Sequence, residues 1–244
     1  MGFRRETAMS DARHAAAPAD AFRDSREREP ATSGISLCAT VMDELGLFPL
    51  GIVLLPTEQL PLHIFEERYK ELVDECLERD GEFGLVYADD DGLRDLGTRA
   101  RVVEVLTRFE DGRLNILVEG GDRFRLVELT DGRSFNTGLV TPIEDVDDSA
   151  ETAAVDEALR LFGLLREVTE SEVDAPEREL SQLSFALAGK VELPTDDKLG
   201  LLAETSERLR MELVQELLAN AVLTAQRVRR AAERASTNGK VDLG

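Results

Sequence analysis

The hydrophobic period of this chain changes once, at the acidic stretch 144–151 (EDVDDSAE), and that change constrains the fold more than any other feature. Ahead of it, short apolar and β-branched runs are divided by turn residues. Behind it, apolar residues recur at the three- and four-residue spacing of helices. Strands first and helices afterwards, rather than in alternation, predict an α+β architecture.

In the first part, Ile52–Leu55 reads as a short strand stopped by Pro56, and Phe83–Ala88 as another. Between them Phe65, Tyr69, Leu72, Val73, Cys76 and Leu77 fall on one helical face. Glu66 and Glu67 stand in the first turn of that helix, where its dipole favours anions, and Asp80-Gly81 ends it. Thr98–Phe109 and Arg113–Val118 flank Glu110-Asp111-Gly112, while Phe124–Leu129 and Ser134–Ile143 flank Asp131-Gly132. Both are hairpin signals, so a small curved sheet or partly open barrel packing one helix is expected. The second part carries helical stripes at Val155–Val168, at Leu180, Leu183 and Leu187, and at Leu199 and Leu202. Ser206 then caps a long helix, with Leu209, Leu213, Leu217, Ala221, Ala225 and Val228 expected to face inward.

These boundaries predict a β subdomain over 42–145 and a helical bundle over 150–235. Residues 1–41, rich in Ala, Arg, Asp and Pro without apolar period, read as a disordered head, with Met42 as an alternative start. Residues 236–244 read as a flexible tail.

Fifty acidic against 29 basic residues leave a net charge of −21, which disfavours nucleic acid and anionic membranes as partners. The two cysteines, Cys38 and Cys76, indicate no disulfide framework, which suits a reducing cytoplasm. No apolar run is long enough to span a bilayer, and no metal-ligand spacing is present, so no metal or cofactor is expected.

Catalysis at His63 would require a nucleophile or ionisable partner that the sequence does not supply nearby, and a histidine packed at a strand–helix junction against backbone is the plainer reading. Glu66, Glu67, Asp74, Glu75 and Glu78 share a helix with Arg68 and Lys70 and read as a solvated face. Asp89-Asp90-Asp91-Gly92 lacks the closing Glu of a calcium loop and reads as a turn. Arg123 and Arg125 share one strand face, where a substrate carboxylate or local acids would pair with them. His63, Glu66, Arg68 and Arg123 are the candidates for a binding surface; no catalytic residue is assigned.

Five motifs occur in order: FPLGIVLLP, LPLHIFEERYKELV, GTRARVVEV, DGRLNILVEGGDRFRL, and SFALAGKVELPTDDKLGLLAETSERLRMELVQELL. Together, over roughly Leu47 to Val222, they resemble the N-terminal substrate-binding domain of Lon-type ATP-dependent proteases. The resemblance implies a PUA-like, β-rich pseudo-barrel followed by a helical bundle, and a role in engaging unfolded or tagged polypeptides. It does not extend to the motor: Gly189-Lys190 precedes Val191 and Gly239-Lys240 precedes Val241, so neither forms a nucleotide loop. A stand-alone, non-enzymatic recognition module is therefore expected, acting as an adaptor or regulator of ATP-dependent proteolysis, with a full-length Lon protease as one partner. A small-molecule sensor with its pocket in the pseudo-barrel is the alternative.

Overall fold

The computed structural model describes residues 42–238; the expected head, with His14 and Cys38, and residues 239–244 lie outside the described residues. Two compact units meet in sequence between Ile143 and Glu144.

The first unit contains strands β1 (Asp43–Leu50), β2 (Gln59–Ile64), β3 (Glu82–Asp89), β4 (Gly92–Arg108), β5 (Leu114–Thr130) and β6 (Asn136–Pro142), with helix α1 (Glu67–Arg79) between β2 and β3. They form one sheet of order β2-β5-β4-β3-β1-β6, and β6 pairs back onto β5 to close it. Closure depends on the length of β5. Its first half pairs with β2 (Leu114 opposite Ile64) and its second half with β6 (Phe124 opposite Pro142). The two short strands expected at 113–118 and 124–129 are thus one strand running through Gly120-Gly121. A Cβ at Gly120 would stand 2.1 Å from the carbonyl oxygen of Leu55, so only glycine lets the two backbones approach here.

The strand expected at Ile52–Leu55 is absent. Val53, Leu54 and Leu55 are buried, but their backbone groups find partners outside a ladder. Thr98 Oγ1 donates to Leu54 O at 2.7 Å, and Leu55 N–H donates to the Glu58 carboxylate at 2.9 Å. An apolar run therefore does not need a sheet when side chains satisfy its main chain. The strand in that region is β2, which contains Pro61 and pairs only with β5, the edge position in which proline is tolerated.

Helix α1 buries Tyr69, Leu72, Val73 and Cys76 against Phe48, Phe83, Leu114, Ile116 and their neighbours. It ends with Asp80 in the left-handed conformation, φ 49°, its N–H on Cys76 O. Phe65 precedes the helix and is 50% exposed, and Leu77 is also exposed, so the inward face is narrower than the periodicity suggests. Burial pushes the Cys76 thiol up to about 11, with Glu75 and Glu82 adding to it, and burial likewise raises Tyr69 to about 12.

The second unit contains α2 (Thr152–Thr169), α3 (Leu183–Ala188), α4 (Thr195–Ala203) and α5 (Glu207–Asn238). α5 continues through 236–238, where a frayed tail was expected. Its buried apolar residues are Met211, Val214, Leu218 and Val222, whereas Leu209, Leu213 and Val228 are exposed. The inward face is turned by about 100°, one residue step, from the one expected. Arg210 explains the turn: it is 0% exposed and lies on the inner face. Its five N–H groups reach Ser184 Oγ (3.1 Å), both oxygens of Asp145 (2.8 and 2.5 Å), Glu204 O (2.7 Å) and Glu207 Oε2 (2.8 Å). Phe185 lies under the guanidinium at 4.3 Å. The Glu207 carboxylate also accepts from the Ser184 N–H at 2.9 Å, capping α3. Burial works against the Arg210 charge, but the bonds to Asp145 and Glu207 outweigh it and hold the pKa above the ordinary arginine value.

Candidate functional site

The β2–α1 junction gathers three of the four sequence candidates. His63 is exposed rather than packed, and its Nδ1 lies 2.6 Å from the side-chain oxygen of Asn115 rather than against backbone. Its ring stacks on Phe65 and meets Phe109 edge-on, each with centroids 6.0 Å apart. Arg68 pairs with Glu66 at 2.8 Å and lies over the Tyr69 ring. Arg123 does not join them. It is 3% exposed on β5 opposite Thr98, while Arg125 is exposed and paired with Asp95. The junction thus offers a small aromatic patch with an internally paired Glu–Arg couple.

The carboxylates of α1 are largely matched: Glu67 to Lys70, Asp74 to Arg108, and Glu75 to Arg79 and Arg133. Among the described residues no group of three or more His, Cys, Asp or Glu side chains is placed to hold a metal ion. Phe48, Leu54, Phe83 and Ile116 pack the core between α1 and the sheet, and a smaller concavity of about 290 Å³ remains between α1 and strands β1 and β6, lined by Glu44, Leu72, Cys76 and Arg133.

The helical unit holds a larger and more apolar concavity, a groove of about 740 Å³. One wall is the C-terminal half of α2, with Phe162, Leu165 and Arg166. The floor and rim come from the 190–194 segment, whose Pro194 precedes α4 and cannot continue a helix from α3. The opposite wall is α5, with Leu217, Ala221 and Ala225. Those three belong to the stripe that periodicity places inside the protein. Because Arg210 and Glu207 occupy the inner face, the stripe instead lines an open surface. The sequence signal was therefore present but assigned to the wrong side. A half-apolar channel of this size suits side chains of a polypeptide better than a compact polar ligand.

Comparison with known proteins agrees with this architecture. Residues 44–220 match the family described as the ATP-dependent protease La (LON) substrate-binding domain. Lon protease 2 of Myxococcus xanthus is 31% identical over 192 residues, 71% of this chain and 23% of its own length. The Lon protease of Anaeromyxobacter dehalogenans is 31% identical over 235 residues, 88% of this chain and 27% of its own. The chain therefore spans about a quarter of the length of these curated relatives. A Lon N-terminal domain protein from Xanthomonas campestris, known from its crystal structure, is similar with a TM-score of 0.56 at 28% identity, covering 72% of this chain and 98% of that one. The N-terminal domain of a Mycobacterium avium complex Lon protease shares the fold at a TM-score of 0.55 and 16% identity, with the same coverage.

Proposed function

The chain belongs to the LON substrate-binding domain family, and from that premise we propose that it is a non-catalytic recognition module for exposed polypeptide segments. The observation that carries the reading is the apolar groove of the helical unit, walled by α2 and by the outward stripe of α5. Water held against Leu165, Leu217 and Ala221 is released when an apolar side chain replaces it, which gives affinity without demanding one sequence. The −21 charge keeps such a module soluble and disfavours promiscuous contact with nucleic acid.

The groove is tested with fluorescently labelled unfolded casein. Leu217→Asp places a charge in the α5 wall and should weaken binding at least tenfold while the circular dichroism spectrum is retained. Binding that survives the substitution in a folded protein rejects the groove as the site.

Such a recognition module would act on proteolysis by changing what a protease receives. We assign it the role of adaptor or regulator toward a full-length Lon protease. Adding the chain to such a protease should change the degradation rate of an unfolded client, and an unchanged rate removes this part of the proposal.

A further inference from the structure

We propose that Arg166 makes the groove selective for polypeptide segments that carry a carboxylate beside their apolar side chains. The inference rests on the groove being the polypeptide site proposed above.

Arg166 is the basic residue of the last turn of α2. Its position is fixed by its own carbonyl, which accepts the N–H of Glu170 and, at 3.0 Å, that of Ser171. Its side chain borders the groove, and its Nε is buried with no hydrogen-bond partner among the described residues. Elsewhere in the same unit arginines find acids readily. Arg160 pairs with Glu157, Arg178 with Asp156, Arg208 with Asp148 and Glu212, and Arg210 with Asp145 and Glu207. In a chain with 50 acidic residues, a half-buried arginine without such a pair stands apart. Glu192 and Asp197 also border the groove, yet neither forms an ion pair with it.

The helix dipole accounts for a cation at the end of α2. It does not account for a buried donor left without an acceptor, an arrangement that proteins generally avoid. The guanidinium is a planar fork whose geometry matches a carboxylate in bidentate fashion, and an apolar surround strengthens the pair. An apolar segment lying in the groove with one carboxylate against the groove-facing part of the Arg166 guanidinium would pair its charge and fill the channel together. The carboxylate has two sources, an Asp or Glu side chain or the α-carboxyl of a chain end.

The experiment measures fluorescence anisotropy of labelled decapeptides of Leu, Val, Ala and Phe on the full chain at 150 mM salt. One peptide carries a central Glu and an amidated end, a second a central Gln and a free end, and a third a central Gln and an amidated end. At least one carboxylate peptide should bind tenfold or more tighter than the neutral one, and which of the two does so identifies the source. Arg166→Gln should bring that ratio to within twofold. Arg166→Lys, which keeps the charge and loses the fork, should retain part of the preference and guards against a folding defect in the first variant. Equal binding of all three peptides, or a preference that persists in Arg166→Gln, overturns the selectivity and leaves the polypeptide site standing. Binding of none of them overturns both.

Discussion

The β unit and the helical unit reach a folded state with different materials at their centres. The β unit closes its sheet around hydrocarbon: Phe83, Phe124, Leu114 and Ile116 are wholly buried, and among its buried polar groups Thr98 and Glu58 satisfy the main chain at Leu54 and Leu55, while Arg123 lies along β5. The helical unit places Arg210 at its centre, with two carboxylates, a hydroxyl and a carbonyl around it. Its long helix has more apolar positions than its inner face uses, and the surplus forms the wall of the groove. A charged centre thus frees leucines for a surface role, whereas a hydrocarbon centre consumes them. The two tyrosines, Tyr69 and Tyr87, both lie in the β unit, so tyrosine fluorescence reports that unit while dichroism at 222 nm is weighted toward the helical one.

The comparison breaks most directly at Arg210. Arg210→Ala removes the cation shared by the Asp145 and Glu207 carboxylates, leaving Glu207 only its bonds to Ser184 in a buried site, and should destabilise the helical unit by about 3–5 kcal/mol. Urea unfolding followed at 222 nm should shift strongly, with a much smaller shift in tyrosine fluorescence. A loss below about 1 kcal/mol would mean that the network is peripheral to folding and the contrast between the units is wrong. The matching test of the β unit is Gly120→Ala. Its added methyl meets the Leu55 carbonyl, a backbone atom that cannot swing aside, and overpacking of this kind costs up to about 3 kcal/mol. Here tyrosine fluorescence should move first.

Alkaline pH separates the units without mutation. Cys76 and Tyr69 hold their protons more tightly in the native state, at about 11 and 12 against ordinary values of 9.0 and 10.0. The stability they contribute is whole below pH 9 and is lost as pH rises through 11 and 12, because the unfolded chain releases protons that the native one retains. At most roughly 3 kcal/mol per group is at stake, and both groups lie in the β unit. Urea midpoints read by tyrosine fluorescence should fall between pH 9 and 11 faster than those read at 222 nm. Parallel falls would place the alkaline sensitivity elsewhere.

The parts legible in the sequence are those in which local chemistry and global packing agree. α1, the β3–β4 turn at Asp90-Asp91, and the closing of helix α1 at Asp80 follow from periodicity and turn residues alone. The failures share one cause, a backbone or charge need that outranks hydrophobic pattern. Leu54 and Leu55 read as strand because nothing local announces that Thr98 and Glu58 satisfy their main chain. Gly120-Gly121 reads as a break because glycine usually weakens strands, whereas here it admits a crossing backbone. The α5 wall of the groove reads as an inward face because Arg210 is indistinguishable, by sequence, from a surface arginine on an amphipathic helix. A helix wheel that maximises leucine therefore selects the exposed stripe.

The smallest predicted effect sharpens the comparison by asking how far the charged centre extends. Ser206 caps α5 as expected: its Oγ accepts the Leu209 N–H at 3.1 Å and donates to Asp148 Oδ2 at 2.6 Å. Asp148 also meets Arg208 at 3.4 Å, so the cap belongs to a second polar group, one turn from Arg210. Ser206→Ala removes an acceptor at a helix start and should cost about 1 kcal/mol, with Ser206→Thr close to neutral. If cap and network act separately, the double variant with Arg210→Ala should lose the sum of the two within about 0.5 kcal/mol. If Asp148 and Arg208 tie them together, the double loss should fall short of the sum by 0.5 kcal/mol or more. A shortfall would make the polar centre of the helical unit one continuous structure from the 144–151 segment to the first turns of α5, and would explain why the period of the sequence changes where it does.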